Sequence, residues 1–204
     1  MTDGLLLIFV KNPILGQVKT RLAATVGEAR ALEIYRILLD HTTKIIIELP
    51  IDKVIYYSNF IDHDDLWDQA IYQKQLQTQG DLGQKMSAAF EWGFQFGYRE
   101  ICIIGSDCYE LAPEIIMSGF QALSTHDAVL GPTRDGGYYL LGLKEMRGEL
   151  FQNKNWGTDS VAADTLNDLN ELDLDYRTLE TLNDVDTEDD LPKELDRKAW
   201  RSEQ

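Results

Sequence analysis

Short apolar runs alternate with longer amphipathic stretches along this chain. Residues 5–10 and 101–104 are unbroken apolar runs, as in strands buried on both faces of a parallel sheet. Lys11-Asn12-Pro13 ends the first, because proline has no N–H for the ladder, and Gly105-Ser106 breaks the second. Further strands are predicted at 53–57, 127–130 and 139–143, and the alternation of 174–179 predicts an edge strand. Ala31, Ile34, Tyr35, Leu38, Ile45 and Leu49 recur at intervals of three and four or their sums, which predicts a helix over 27–49 closed by Pro50. The same spacing predicts a helix ending near Gly97, one that opens at Pro113, and one that follows Thr158. The mixed, acidic stretch 63–72 reads as a short helix, and Thr187 with Asp190 three residues on reads as a helix cap. Strand, helix, strand in this order predicts an α/β fold with helices laid over a mostly parallel sheet.

Composition narrows this picture. A length of 204 residues suits one domain, 1–204, large enough to bury a real core. The net charge of −16 argues against a nucleic-acid backbone or an anionic membrane as the general partner. From 158 to 204 there are 15 acidic residues against 5 basic ones, so the cations near the N-terminus stand out. Cys102 and Cys108 form neither a metal-ligand repeat nor a disulfide framework, and reduced thiols in a cytoplasmic protein fit them best. The run 5–10 is too short to span a membrane and has no cationic region before it, so no targeting signal is expected.

Candidate chemistry clusters where the predicted strands end. Ligands of open α/β sheets bind beyond the carboxyl ends of the strands, and Asp107 is the first charge after the strand 101–104. A hard divalent cation that bridges phosphate oxygens wants one or two such carboxylates, so Asp107 is a candidate metal ligand; the alternative is a helix start before Pro113. After the first strand, Lys11, Lys19 and Arg21 surround Gly16, a plausible diphosphate cradle or else a solvated basic loop. Asp135-Gly136 fits a two-residue hairpin turn, yet Asp135 could also orient a sugar hydroxyl or act as a general base, with Gly136 and Gly137 letting a ligand lie on the backbone. Trp156 could stack on a ligand or simply fill the core rim. Asp184 and Asp186 lie at a strand exit, where alternate residues point the same way, and one of them could meet Asp107 across a metal. His41, His63 and His126 lack zinc-ligand spacing, and neither a Gly-x-Ser-x-Gly elbow nor a P-loop occurs.

Four stretches in order carry a likeness: Lys11-x-Pro-x-x-Gly-x-Val-Lys-Thr-Arg-Leu22, Ile104-Gly-Ser-Asp-Cys108, Gly131-Pro-x-x-Asp-Gly-Gly-Tyr-Tyr139 and Asp184-Val-Asp-Thr187. In these the chain resembles the DUF2064 group, glycosyltransferase-A-like (GT-A) proteins of the nucleotide-diphospho-sugar transferase superfamily. The resemblance spans nearly the whole chain. It implies a three-layer α/β/α sandwich on a mostly parallel, mixed sheet, with a nucleotide diphosphate across the strand ends. It also implies phosphate contacts from Lys11, Gly16, Lys19 and Arg21, Mg²⁺ or Mn²⁺ on Asp107 and Asp186, and an acceptor facing Asp135, Gly136, Gly137 and Tyr138. The chain departs from the group at Tyr109, where proline is common, and at Gln84-Lys85, where Glu-Arg is usual.

Three functions follow as expectations. The first is metal-dependent transfer of a sugar from a nucleotide-diphosphate donor to an acceptor hydroxyl, with Asp135 as base. The second is nucleotidyl transfer, in which a small phosphorylated molecule attacks a nucleoside triphosphate and pyrophosphate leaves. It is favoured by a lone Asp107 in place of Asp-x-Asp and by the basic loop directly after the first strand, and disfavoured by the loop's single glycine. The third is a nucleotide-binding module without catalysis. The partner in each is a nucleotide or nucleotide sugar; base, sugar, acceptor and oligomeric state are not encoded in any motif.

Overall fold

The computed structural model describes residues 3–195; residues 1–2 and 196–204 of the expected unit lie outside it. Its frame is a mixed sheet of strands β1 (Gly4–Val10), β2 (Asp52–Tyr57), β3 (Gln73–Leu76), β4 (Glu100–Ile104), β5 (Ala128–Pro132), β6 (Tyr138–Leu143) and β7 (Tyr176–Thr178). Their order across the sheet is β3-β2-β1-β4-β6-β5-β7. β1 pairs in parallel with both β2 and β4, and β6 alone among these strands runs against its two neighbours. The ends of β1, β4, β5 and β7 therefore share one edge of the sheet.

Alternation along β1 separates the two faces. Leu6, Ile8 and Val10 point to one side, where they are buried with Ala31, Ile34, Tyr35 and Leu38 of α2 (Glu28–Ile46) and Ile116 and Phe120 of α4 (Pro113–Leu123). Leu5 and Leu7 point to the other, with Met86, Ala89 and Phe90 of α3 (Leu82–Gln95) and Leu169 of α5 (Val161–Glu171). The result is the three-layer α/β/α sandwich that the strand pattern implies. Among the described residues no helix is long and apolar enough to cross a membrane.

Four local readings change. Residues 63–72 form no helix, because Asp62, Asp65 and Asp68 each accept a hydrogen bond from the backbone N–H two residues on, at 3.0, 2.9 and 2.9 Å. Such Asx turns compete directly with the helical ladder. β3 was not evident from the pattern because it is a polar strand at the sheet edge, anchored by Lys74, whose buried ammonium pairs with Asp65 at 2.7 Å. Within the basic loop, a short helix α1 (Thr20–Val26) forms, fixed by buried Leu22. The Asp135-Gly136 hairpin is also longer than two residues: β5 and β6 are joined through residues 133–137, with a register shift at Gly131/Pro132.

The edge that carries the strand ends is braced by Asn12. Its buried amide donates to the Phe60 carbonyl at 3.0 Å, its Oδ1 accepts from the N–H groups of Asn59 and Phe60 at 3.0 and 3.3 Å, and its own N–H donates to Ser58 Oγ at 3.2 Å. The loops after β1 and β2 are thus tied through one side chain. Asn12→Ala removes the three bonds its side chain makes to the exposed residues Asn59 and Phe60, and is expected to cost about 1–2 kcal/mol. Urea denaturation checks this, and a loss below about 0.5 kcal/mol would show that the brace is dispensable.

Candidate active site

β1 and β4 are neighbours whose chains leave in opposite lateral directions, so their carboxyl ends open a crevice at the switch point of the sheet. Tyr35 of α2 closes its floor. The phenol hydroxyl accepts from the Lys11 N–H at 2.8 Å, donates to the Lys11 carbonyl at 3.1 Å and lies 3.1 Å from Ser106 Oγ. Burial first, then the charge of Asp107, raises its pKa well above the ordinary phenol value, so it stays a neutral link between the two strand exits.

Two hollows meet at this edge. The first, of about 480 Å³, has apolar walls from Phe9, Val10, Met86 and Ile103, and Lys11, Lys85 and Asp107 at its polar side. The second, of about 360 Å³, is lined by Arg21, Asp135, Tyr138, Trp156, Asp159 and Asp186 among others. Leu82, Tyr138 and Asp184 border both, so the hollows form one bipartite cleft. Each half is of a size that suits a small-molecule fragment.

The expected residues divide among these places. Lys11 and Asp107 line the first hollow; Arg21, Asp135, Gly137, Tyr138 and Asp186 line the second. Lys19 lies beneath, with its side chain only 4% exposed and its ammonium 2.8 Å from Asp107 Oδ2. Its backbone is left-handed at φ 47°, a conformation that a lysine adopts at a cost of about 1–2 kcal/mol. Gly16 lines neither hollow; at φ 75° it turns the loop beside Glu28. Asp135 spends Oδ1 within its own turn, accepting from Thr133 Oγ1 at 2.5 Å and from the Gly137 N–H at 3.1 Å. Gly136, at φ 88°, has the Asp159 carbonyl oxygen 2.0 Å from where a Cβ would stand, so protein backbone occupies that approach.

Asp184 and Asp186 part company. Asp186 accepts from Arg21 at 2.6 Å towards solvent. Asp184 turns inward, where burial first and then the charge of Asp107 push its carboxyl up to about 7, against the opposing pull of Lys19. The Val185 N–H between them donates to the Asp107 carbonyl at 3.0 Å, which straps this segment to the end of β4. Three site candidates did not stand out in the sequence: Asp184 as distinct from Asp186, Lys85 and Gln77. For Lys85 the available signal was its place beside the glycine-bounded start of α3; Gln77 gave none.

Oxygen donors suit a hard divalent cation, and two carboxylates that share one field, Asp107 and Asp184, are the donor set that such a cation accepts with water and phosphate completing its shell. Among the described residues no group of three or more His, Cys, Asp or Glu converges on one point. Asp107 and Asp184 could thus supply two ligands of such a cation.

The raised Asp184 carboxyl has a stability consequence in the metal-free protein. Its ordinary value is 3.8, so between there and about 7 the folded chain holds a proton that the unfolded chain has released. Its contribution to stability is full at low pH and is lost as pH rises through about 7. In EDTA, the melting temperature of Asp184→Asn relative to wild type should climb between about pH 5 and about pH 8. A difference that stays flat with pH would refute the assignment.

This α/β/α sandwich is the fold of nucleotide-diphospho-sugar transferases and nucleotidyltransferases. Within that class the chain belongs to the DUF2064 family, described as uncharacterized proteins conserved in bacteria, whose profile matches residues 42–158. It is 32% identical to a protein of Desulfovibrio desulfuricans G20, provisionally described as a nucleotide-diphospho-sugar transferase. That match covers 92% of this chain and 84% of the other, with a TM-score of 0.85. The fold is shared at 10% identity with the inositol-1-phosphate CTP transferase of T. maritima (TM-score 0.61, 98% of this chain and 96% of that one). It is shared at 12% identity with Rv0371C of Mycobacterium tuberculosis H37Rv in complex with manganese (TM-score 0.53, 98% and 100%). No curated protein matches the chain. The relative from Desulfovibrio desulfuricans G20 is described as a transferase, which supports that class here.

Proposed function

We propose that this protein is a metal-dependent transferase that moves a sugar from a nucleotide-diphosphate donor to an acceptor hydroxyl. The observation that carries the choice is the charge of the second hollow, where Asp135, Asp159 and Asp186 outnumber Arg21, itself already paired with Asp186. A phosphorylated acceptor, which nucleotidyl transfer needs, would meet that field unfavourably, whereas a neutral hydroxyl acceptor would not. The relative from Desulfovibrio desulfuricans G20 agrees with a sugar-nucleotide donor.

In this reading the donor base lies along the apolar wall of the first hollow, and Lys11, Lys19, Lys85 and Arg21 hold its phosphates. Asp107 and Asp184, with Asp186 nearby, would hold Mg²⁺ or Mn²⁺, which supplies charge stabilisation on the departing diphosphate; the manganese complex of Rv0371C agrees with that choice. The acceptor hydroxyl attacks the sugar carbon, the bond to the diphosphate breaks, and the proton passes to Asp135 Oδ2, the oxygen its turn does not use. Gly137 and Tyr138 border the acceptor, and Trp156 offers it a ring face. The unit comprises the whole chain, 1–204, acting on small molecules in the cytoplasm.

Nucleotidyl transfer remains the second reading, favoured by the density of cations on the loop after β1. Incubation with Mn²⁺ and a panel of nucleotide sugars or nucleoside triphosphates separates the two. Release of a nucleoside diphosphate in an acceptor-dependent way is expected; release of pyrophosphate from a triphosphate would replace the proposal with the alternative.

A further inference from the structure

The ion pair between Lys19 and Asp107 is lopsided. Both groups are assigned ligands in the proposed function, on which this inference rests, yet in the protein alone they are assigned to each other at 2.8 Å. Their surroundings differ: the Lys19 side chain is 4% exposed and that of Asp107 42%. Asp107 set free can turn to water. Lys19 set free cannot, because its backbone is fixed in the left-handed conformation at the start of α1 and its neighbours Val18 and Leu22 are buried. An ammonium stranded there without a counter-charge is costly, since breaking a buried pair from one side leaves the other charge unsolvated.

The two ligands of the site therefore meet different resistance. A cation that takes Asp107 strands Lys19 in the interior. A phosphate that takes Lys19 leaves Asp107 to solvent at little cost, and Asp107 is then available. We infer that Lys19 makes the metal-binding carboxylate conditional on a bound phosphate: the diphosphate engages Lys19 first, and only then does Asp107 accept a divalent cation. Arg21 and Asp186 repeat the pairing at 2.6 Å, but Arg21 is 69% exposed, so that pair opens freely and imposes no order. The consequence is a site that stays closed to free metal ions and assembles its charge only around a donor.

The test uses two separate titrations of the full chain, so that chelation of metal by phosphate does not enter. In the first, Mn²⁺ alone is titrated into wild type, Lys19→Met and Lys19→Arg, with free Mn²⁺ read by electron paramagnetic resonance. Lys19→Met should bind Mn²⁺ about ten-fold or more tighter than wild type, and Lys19→Arg, which keeps the charge, should not. In the second, inorganic pyrophosphate is titrated calorimetrically in EDTA into wild type, Lys19→Met and Asp107→Asn. Asp107→Asn should bind it several-fold tighter than wild type, because Lys19 no longer has a competing carboxylate, and Lys19→Met should bind it more weakly. The second titration still decides the matter if Lys19→Met fails to fold. Wild type and variants that bind both probes with equal affinities would overturn the conditional order and leave the proposed function standing. Variants and wild type that bind neither probe would overturn both.

Discussion

Asp107→Asn is expected to fold and to lose turnover with a nucleotide-sugar donor by about a thousand-fold, the largest effect of any single substitution in the cleft. The residue stands just beyond β4, at the crevice where β1 and β4 diverge, and its side chain is 42% exposed, so the change disturbs no packing. What it removes is the charge on which both the cation and the local field depend. The amide can still accept a hydrogen bond from Lys19, and the loss of the ion pair should cost about 1–2 kcal/mol of stability rather than the fold. For a chain of this size that corresponds to a fall in melting temperature of about 2–8 °C. Steady-state kinetics with Mn²⁺ and a thermal melt on the same preparation check both parts. Turnover within about ten-fold of wild type would remove Asp107 from the centre of the site. Loss of turnover together with a collapsed melt would mean that the pair with Lys19 serves the fold before it serves chemistry.

The pattern of the chain disclosed the frame because burial on both faces leaves little choice of residue: β1 and residues 101–104 of β4 are apolar without interruption, and both strands are central in the sheet. Their exits were readable for the same reason, since the first charge after a buried strand must lie at its end. β3 was hidden because edge strands need not be apolar, and Gln73-Lys74-Gln75-Leu76 owes its place to pairing with β2 and to Lys74 reaching Asp65. The stretch 63–72 misled because its carboxylates look like helix surface, whereas each of Asp62, Asp65 and Asp68 bonds its own backbone. Strand alternation leaves Asp184 and Asp186 equivalent, and the resemblance singles out Asp186 as the second metal carboxylate. The segment is irregular instead, held at Val185, and that single tie to Asp107 sends one carboxylate inward and the other to Arg21.

Gly136→Ala is expected to be the most damaging change in the acceptor half. Two effects add at this position. The backbone at φ 88° is open to glycine and strained for alanine, and the new Cβ would stand 2.0 Å from the Asp159 carbonyl oxygen, with the carbonyl carbon at 2.4 Å. Those are backbone atoms that cannot swing aside, and the approach is fixed from the other direction by the Ala162 N–H, which donates to the Gly136 carbonyl at 2.8 Å. Either the 133–137 loop separates from residues 159–162 or the start of α5 is displaced. A cost of about 3 kcal/mol or more is expected, larger than for a typical surface glycine. Because Asp135, Gly137, Thr158, Asp159 and Val161 all border the second hollow, the same displacement should raise KM for the acceptor while KM for the donor changes little. Equal effects on both substrates would indicate that the two hollows move as one body. An unchanged melting temperature would show that the contact between Gly136 and Asp159 is not made in solution.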